Sequence, residues 1–334
     1  MAASSLTSRT GSLPELAGSA ARYRGRPLMS ERRIVKHDPA TGMSPLFRPL
    51  PALKAGQRQK LDVRTQHGSV ELHWRGPDAL GIPEETLLLA ILEKLSNDHG
   101  LFEASAILAP STGSDVGKAL WAGLAASGSE LSGDTRVLFT SFAALCRACG
   151  HDTGGAAIRQ VKAMLKRLVE VTLWLRQGRL EGSSRLISWM VCEDGQVAVA
   201  VNRRLAAAIQ GVHYCQVSLS ERLALPTHTA QALHARLSAQ IREGRELRFR
   251  VESLERMVWG INAEGSTQRN RFAKLRSALS ALGGLAGWDV SVTPGRDGKR
   301  VYRIRRGSSK RTDNATSSEK RRQPFGISTT GALA

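Results

Sequence analysis

The chain has 334 residues, of which 41% are hydrophobic, and carries a formal charge of +19 at neutral pH. That apolar share suffices for two ordinary domains with buried cores, which excludes a chain disordered throughout. The positive excess disfavours small acidic metabolites as the partner and favours a polyanion, nucleic acid first and an anionic membrane surface second.

The first 28 residues hold a single acid, Glu15, among many Ala, Ser and Arg. This composition superficially imitates an organellar transit peptide, but the simpler reading is a disordered extension reaching residue 42, and Met29 could be an internal start. No run approaches eighteen consecutive apolar residues and no basic-then-apolar leader opens the chain, so a cytoplasmic protein without a membrane partner is expected. Cys146, Cys149, Cys192 and Cys215 sit among apolar neighbours rather than in a dense disulfide frame, which fits a reducing compartment.

Residues 85–95 predict the first helix, with Leu87, Leu88, Ile91, Leu92 and Leu95 on its apolar side. Residues 101–134, rich in Gly and Ser, predict a loose insertion. Next come a short strand at 136–139, a short helix at 141–149, a turn holding Gly150, Gly154 and Gly155, and a longer helix at 156–169. The β-rich runs 171–176 and 184–188 predict a hairpin behind that helix. A strand at 197–201 and a helix at 203–209, stopped by Gly211, predict the link to the second half. There, a helix at 228–241 is capped by Thr227 or Thr229. It is followed by a strand at 247–251, a helix at 252–259, a turn at 262–265, a helix at 266–282, and a hairpin of 288–292 with 300–305. From Gly307 onward the chain is polar and aperiodic, which predicts a disordered basic tail.

The order strand, short helix, turn, long helix, hairpin therefore occurs twice. The long helices also match in their apolar steps: Ile158, Val161, Leu165 and Leu168 in one, Phe272, Leu275, Leu279 and Leu282 in the other. The expected fold is α+β, two tandem winged-helix domains with disordered extensions at both ends. Their expected boundaries are 1–42 for the extension, 43–212 and 213–306 for the two domains, and 307–334 for the tail.

A helix-turn-helix lays its second helix in the major groove and reads bases near that helix's N-terminal end. In the second copy, Ser266, Asn270 and Lys274 share an outward face, flanked by Arg269, Arg271 and Arg276, and Gln268 joins the candidate DNA-binding set. Asn270 suits a bidentate pair with adenine, and Arg269 or Lys274 suits guanine. Thr267 and the free N–H groups at the helix start can hold a phosphate. Arg296, Lys299, Arg300 and Arg303 on the wing would add backbone or minor-groove contacts. The first copy offers Arg159, Gln160, Lys162 and Lys166, a weaker set interrupted by Ala156 and Ala163. Two such modules suit an asymmetric double-stranded site of roughly 20 base pairs.

Enzymatic chemistry is not expected, and no cofactor or metal is implied. The run from Gly113 to Ala119 imitates a phosphate loop but is one residue short and has Ala119 where a magnesium-binding hydroxyl belongs. Cys146 and Cys149 with His151 lack a second ligand pair for zinc. Tyr23, Tyr214 and Tyr302 lack the His pair that strand nicking needs.

Four stretches, KHDPATGMSPLFRPL, QKLDV, RGPDALG and EGSTQRNR, resemble in register the RepC-type replication initiators of IncQ broad-host-range plasmids; the similarity runs from about Lys36 to Arg305. The resemblance implies a bacterial, plasmid-associated initiator that binds direct repeats (iterons) at the origin. It would promote melting of an adjacent A·T-rich segment and enable loading of the plasmid-encoded helicase and primase. It also implies a possible homodimer, for which the 156–163 face and the 197–201 strand are candidate surfaces. The alternative is a transcriptional repressor, including an autoregulator, built on the same two modules; a protein of anionic membranes would need a basic amphipathic helix with large exposed apolar groups.

Overall fold

The computed structural model describes residues 32–51, 57–96, 104–295, 298 and 300–307. The expected extension up to residue 31 and the expected tail from 308 lie outside them. Residues 34–42, expected in the extension, instead form part of the core. Strand β1 (Ile34–His37) is followed by helix α1 (Pro39–Met43), capped by Asp38, whose carboxylate accepts from the Thr41 N–H at 2.9 Å. Pro39 at the first helical position needs no N–H partner there.

Alternation in LDVRTQH and VELHWRG builds the hairpin β2 (Leu61–His67) and β3 (Val70–Gly76), which sequence inspection had not singled out. Leu61, Leu72 and Trp74 point inward while Asp62, Arg64 and Arg75 point out, a period-two pattern. Helix α2 (Ile82–Ser96) is apolar nearly all round because it is buried nearly all round. From residue 104 onward, the region expected to be a loose insertion is structured. Strand β4 (Ala104–Leu108) and helix α3 (Asp115–Leu124) bury Leu108, Leu120 and Leu124 against Ala198 and Ala200, ahead of the two-residue strand β5 (Ser127–Gly128).

The first helical pair then appears: β6 (Thr135–Thr140), α4 (Phe142–Ala148) and α5 (Gly155–Val169). Ser141 caps α4, and Asp152 tightens the turn by accepting from the Gly154 N–H at 3.1 Å. Behind α5 run β7 (Thr172–Gln177), β8 (Leu180–Arg185), β9 (Ile187–Val191) and β10 (Val197–Val201), then α6 (Arg203–Ile209). The second half comprises β11 (Cys215–Ser218), α7 (Leu219–Ala224), α8 (His228–Gln240) with Thr227 as cap, β12 (Glu246–Arg250), α9 (Val251–Trp259), α10 (Gly265–Gly283), β13 (Trp288–Pro294) and β14 (Arg300–Arg306).

Sheet order corrects the expected hairpin of the first unit. In the second unit the leading strand pairs with the last, giving the order β12-β14-β13. The first unit has the same order in β6-β10-β9, with β4 added outside β6. The hairpin equivalent to β13–β14 is therefore β9–β10, not residues 171–176 with 184–188. Strands β7 and β8 form an inserted hairpin that joins β2, β3 and β5 in a separate antiparallel sheet, ordered β2-β3-β7-β8-β5. Leu186 is the corner between the two sheets: its N–H donates to the Val171 carbonyl, and its own carbonyl accepts from the Asn202 N–H, each at 3.1 Å. Strand β10 is not the expected linker, nor can it serve as an edge for a second copy. It lies between β6 and β9 with all five residues buried.

The expected division at 212/213 is crossed by tight contacts. Strand β1 pairs antiparallel with β11 across the two halves. Glu85 of α2, almost fully buried, accepts from Arg222 of α7 at 2.9 Å and from Arg236 of α8 at 2.7 Å. Arg236 also donates to the carbonyls of Gly42 and Phe47, so a single buried ionic cluster fastens α1, α2, α7 and α8 together.

Candidate nucleic-acid interface

Helix α10 presents the richest exposed polar face of the second half. Leu275, Ala278, Leu279 and Leu282 are buried, and this stripe fixes the rotation of the helix. Ser266, Thr267, Arg269, Asn270 and Lys274 are all exposed as a result, while Gln268 is half-buried. The expected readers thus share one accessible end of one helix.

That end is held by a buried carboxylate. Gly260, with φ of +83°, terminates α9 in the left-handed conformation that favours glycine. The chain then turns so that the Ala263 N–H donates to Oε1 of Glu255 at 3.0 Å. Arg271 of α10 completes the lock: its guanidinium lies 3.3 Å from the same Glu255 oxygen, donates to the Ile261 carbonyl at 3.0 Å, and stacks 5.0 Å above the Trp259 ring. Glu255 is fully buried, so the pair fixes the angle between α9 and α10 at a site shielded from solvent. Of the residues expected to face the groove, Arg271 is the one turned inward by these contacts.

The β13–β14 hairpin places Arg300 on the surface. Arg303 is half-buried, donates to the Ser291 hydroxyl at 3.2 Å and lies opposite Arg248 of β12 in the strand register. Arg248, exposed on the same sheet face, escaped sequence inspection because pairing across strands, not spacing along the chain, brings it beside Arg303. Arg296 and Lys299 lie outside the described residues.

The first unit is less well equipped. Arg159, Gln160, Lys162 and Lys166 are exposed on α5, and the Lys162 ammonium lies 4.6 Å above the Phe142 ring. Arg167 is drawn away from the surface by Glu84, which its guanidinium contacts at 2.6 and 2.7 Å. The tip of the β9–β10 hairpin carries Glu193 and Asp194, both acidic, where the second unit has Arg300 at the base of its tip. Like charge at that tip repels a phosphate backbone.

The remaining motifs are accounted for by packing. Gly117 and Lys118 belong to the first turn of α3, capped by Ser114. Cys146 and Cys149 are buried on and beside α4, and burial pushes the Cys149 thiol up to about 12. Among the described residues no group of His, Cys, Asp or Glu is arranged to hold a metal ion, and no helix is long and apolar enough to cross a membrane.

Comparison with known proteins adds the following. No curated protein sequence matches the chain. Among solved structures, two forms of domains 2 and 3 of RctB are similar at 11% identity. One, a selenomethionine form, has a TM-score of 0.48 and covers 78% of this chain and 94% of its own. The other has a TM-score of 0.46 and covers 80% and 96%. The family model described as Replication protein C (RepC) matches residues 30–300, and the chain belongs to that family of replication proteins.

Proposed function

We propose that the two helix-turn-helix units are winged helices and that the protein is a non-enzymatic, sequence-specific initiator that binds direct repeats in duplex DNA at a plasmid origin. The observation that carries this reading is α10: an exposed face of Ser266, Thr267, Arg269, Asn270 and Lys274, set at a fixed angle by the buried Glu255–Arg271 pair. A rigid helix with a polar, cationic N-terminal half suits direct readout, because base contacts demand fixed geometry. Arg300, Arg303 and Arg248 lie on the adjoining sheet, where they would follow the phosphate backbone. The acidic tip of the β9–β10 hairpin favours a weaker role for Arg159, Gln160, Lys162 and Lys166 of α5.

Several copies bound side by side would open an A·T-rich neighbour, giving the plasmid-encoded helicase and primase access. Unstacking costs about 1.4 kcal/mol per base-pair step on average, so the energy of several binding events can offset it without nucleotide hydrolysis. In the inactive protein, not bound to DNA, the 156–163 face of α5, with Ala156 exposed, is the surface we assign to homodimerisation.

The test is footprinting of the protein on the origin of its own plasmid, with permanganate to detect unpaired thymines. Protected tandem direct repeats with reactive thymines beside them support the initiator. Protection of a promoter alone, without unpaired thymines wherever binding occurs, supports a repressor instead.

A further inference from the structure

Between the segment after α1 and the turn that joins α9 to α10 lies a cavity of about 370 Å³. Its walls include Arg48, Pro49, Arg58, Trp259, Ile261 and Arg271. Two of the three arginines already have carboxylate partners. Arg58 donates to Oε1 of Glu84 at 3.1 Å and to the Ala79 carbonyl at 3.0 Å, while Arg271 meets Glu255. Glu84 is shared with Arg167 and is fully buried. Two carboxylates, Glu84 and Glu255, therefore serve three guanidiniums, and Arg48 adds a fourth.

Arg48 is half-buried beside this excess. Its backbone N–H is anchored to the Leu80 carbonyl at 3.2 Å, which holds the residue at the cavity wall. Burial lowers its pKa, and the facing Arg271 guanidinium lowers it further, as expected where like charges are brought together. Pro49 fixes its own φ and restricts Arg48, the residue before it, to extended backbone, which lowers the backbone freedom lost on binding.

We propose that this cavity seats one phosphate of the DNA backbone, gripped by Arg48 at the mouth of the α9–α10 turn, while Arg58 and Arg271 stay paired with Glu84 and Glu255 and add only their positive field. The assignment rests on the DNA-binding reading above. Its position favours a DNA phosphate over a free anion, because Arg271 belongs to α10 and Ile261, two-thirds exposed, belongs to the turn leading into it. A helix lying in the major groove brings that turn to the flanking backbone.

The experiment compares the full chain with Arg48→Gln, and with Asn270→Ala as a reference. Binding is measured against salt on a duplex carrying the origin repeats and on an unrelated duplex. Neutral methylphosphonates are scanned singly along the repeat. The expected result is a salt slope smaller by about 0.9 for R48Q on both duplexes, the loss of one phosphate contact. In addition, one methylphosphonate position weakens the wild type and has no effect on R48Q. N270A should instead narrow the gap between the two duplexes at an unchanged slope.

An R48Q slope equal to wild type overturns the proposal. It does so equally if R48Q only abolishes stabilisation by inorganic phosphate, which would mark a small-anion site, or only lowers thermal stability, which would mean that Arg48 serves Glu255. If the wild type itself binds neither duplex with a steep salt slope, it is the DNA-binding reading that fails.

Discussion

Replacing Glu85 by alanine removes the carboxylate on which Arg222 and Arg236 converge, and the contacts allow the consequence to be scaled. Both guanidiniums are fully buried, and both bonds, at 2.9 and 2.7 Å, are charge-assisted. Removing one partner of a buried ionic cluster typically costs about 3–5 kcal/mol, because an uncompensated charge stays behind. Here two charges stay behind. They keep neutral acceptors, however: Arg222 retains the Thr86 hydroxyl and the Ile82 and Gln231 carbonyls, and Arg236 retains those of Gly42 and Phe47. The loss should therefore fall near the lower end, about 3 kcal/mol, and Glu85→Gln should lose less because it still accepts one hydrogen bond. Since folded domains hold only about 5–15 kcal/mol in reserve, the urea midpoint should fall clearly. The loss should be insensitive to salt, because the cluster is shielded from solvent. Urea unfolding of wild type, Glu85→Ala and Glu85→Gln, at low and high salt, measures this. A loss below about 1 kcal/mol for Glu85→Ala would refute the view that this cluster fastens the two halves together.

Acid should destabilise the protein in two stages. Burial lowers the His37 pKa to about 4 even against Asp38 and Glu85, so the folded state stays neutral while the unfolded chain protonates near 6.5. That contribution is present above pH 6.5 and is lost as pH falls toward 4; it amounts to about 3 kcal/mol at most. Burial raises the Glu221 carboxyl, but hydrogen bonds from His234, Trp288 and Arg32 outweigh it and hold the group at about 2, so its contribution disappears as pH falls from 4.5 toward 2. Urea midpoints at pH 7, 5.5 and 4.5 should decline more for the wild type than for His37→Asn; parallel declines would argue against the first stage. Arg271→Ala strips Glu255 of its counter-charge and frees α10, so it should cost about 2 kcal/mol and weaken all duplexes alike. Binding and unfolding measured on one preparation would show whether the two losses go together. Asn270→Ala should lower discrimination between correct and altered repeats by about 1–3 kcal/mol, and Gln160→Ala by less; the reverse ranking would transfer the reader's role to α5. Leu279→Ala, in the buried stripe of α10, should cost about 2–5 kcal/mol in stability, which calorimetry can check.

What was readable beforehand was local. The stripe Leu275, Leu279 and Leu282, the cap Thr227, and the strand 197–201 with the helix 203–209 follow from side-chain period and capping chemistry within a few residues. So does the exposed face of α10, since burying one side of a helix exposes the other. What could not be read depended on partners distant in the chain. Nothing local in Val197–Val201 announces that it pairs with both β6 and β9, so the linker and the hairpin were exchanged. The β2–β3 hairpin was not expected from the sequence, and its role appears only when β7 and β8 add to the same sheet. The Gly and Ser of residues 101–134 suggest looseness, yet Leu108, Leu120 and Leu124 pack against Ala198 and Ala200 and order the described part of that region.

The site divides in the same way. Composition and helical period by themselves determined that this is a basic protein with a polar, cationic helix face ready for a polyanion. Only the tertiary structure decided which charges remain available to one. Arg271 and Arg167 look like surface cations along the chain, yet buried Glu255 and Glu84 draw them inward; Arg248 and Arg48 look incidental, yet pairing and packing bring them beside Arg303 and Arg271. A side chain's charge is set by its own chemistry, whereas its freedom to bind is set by neighbours that the fold supplies from far along the chain.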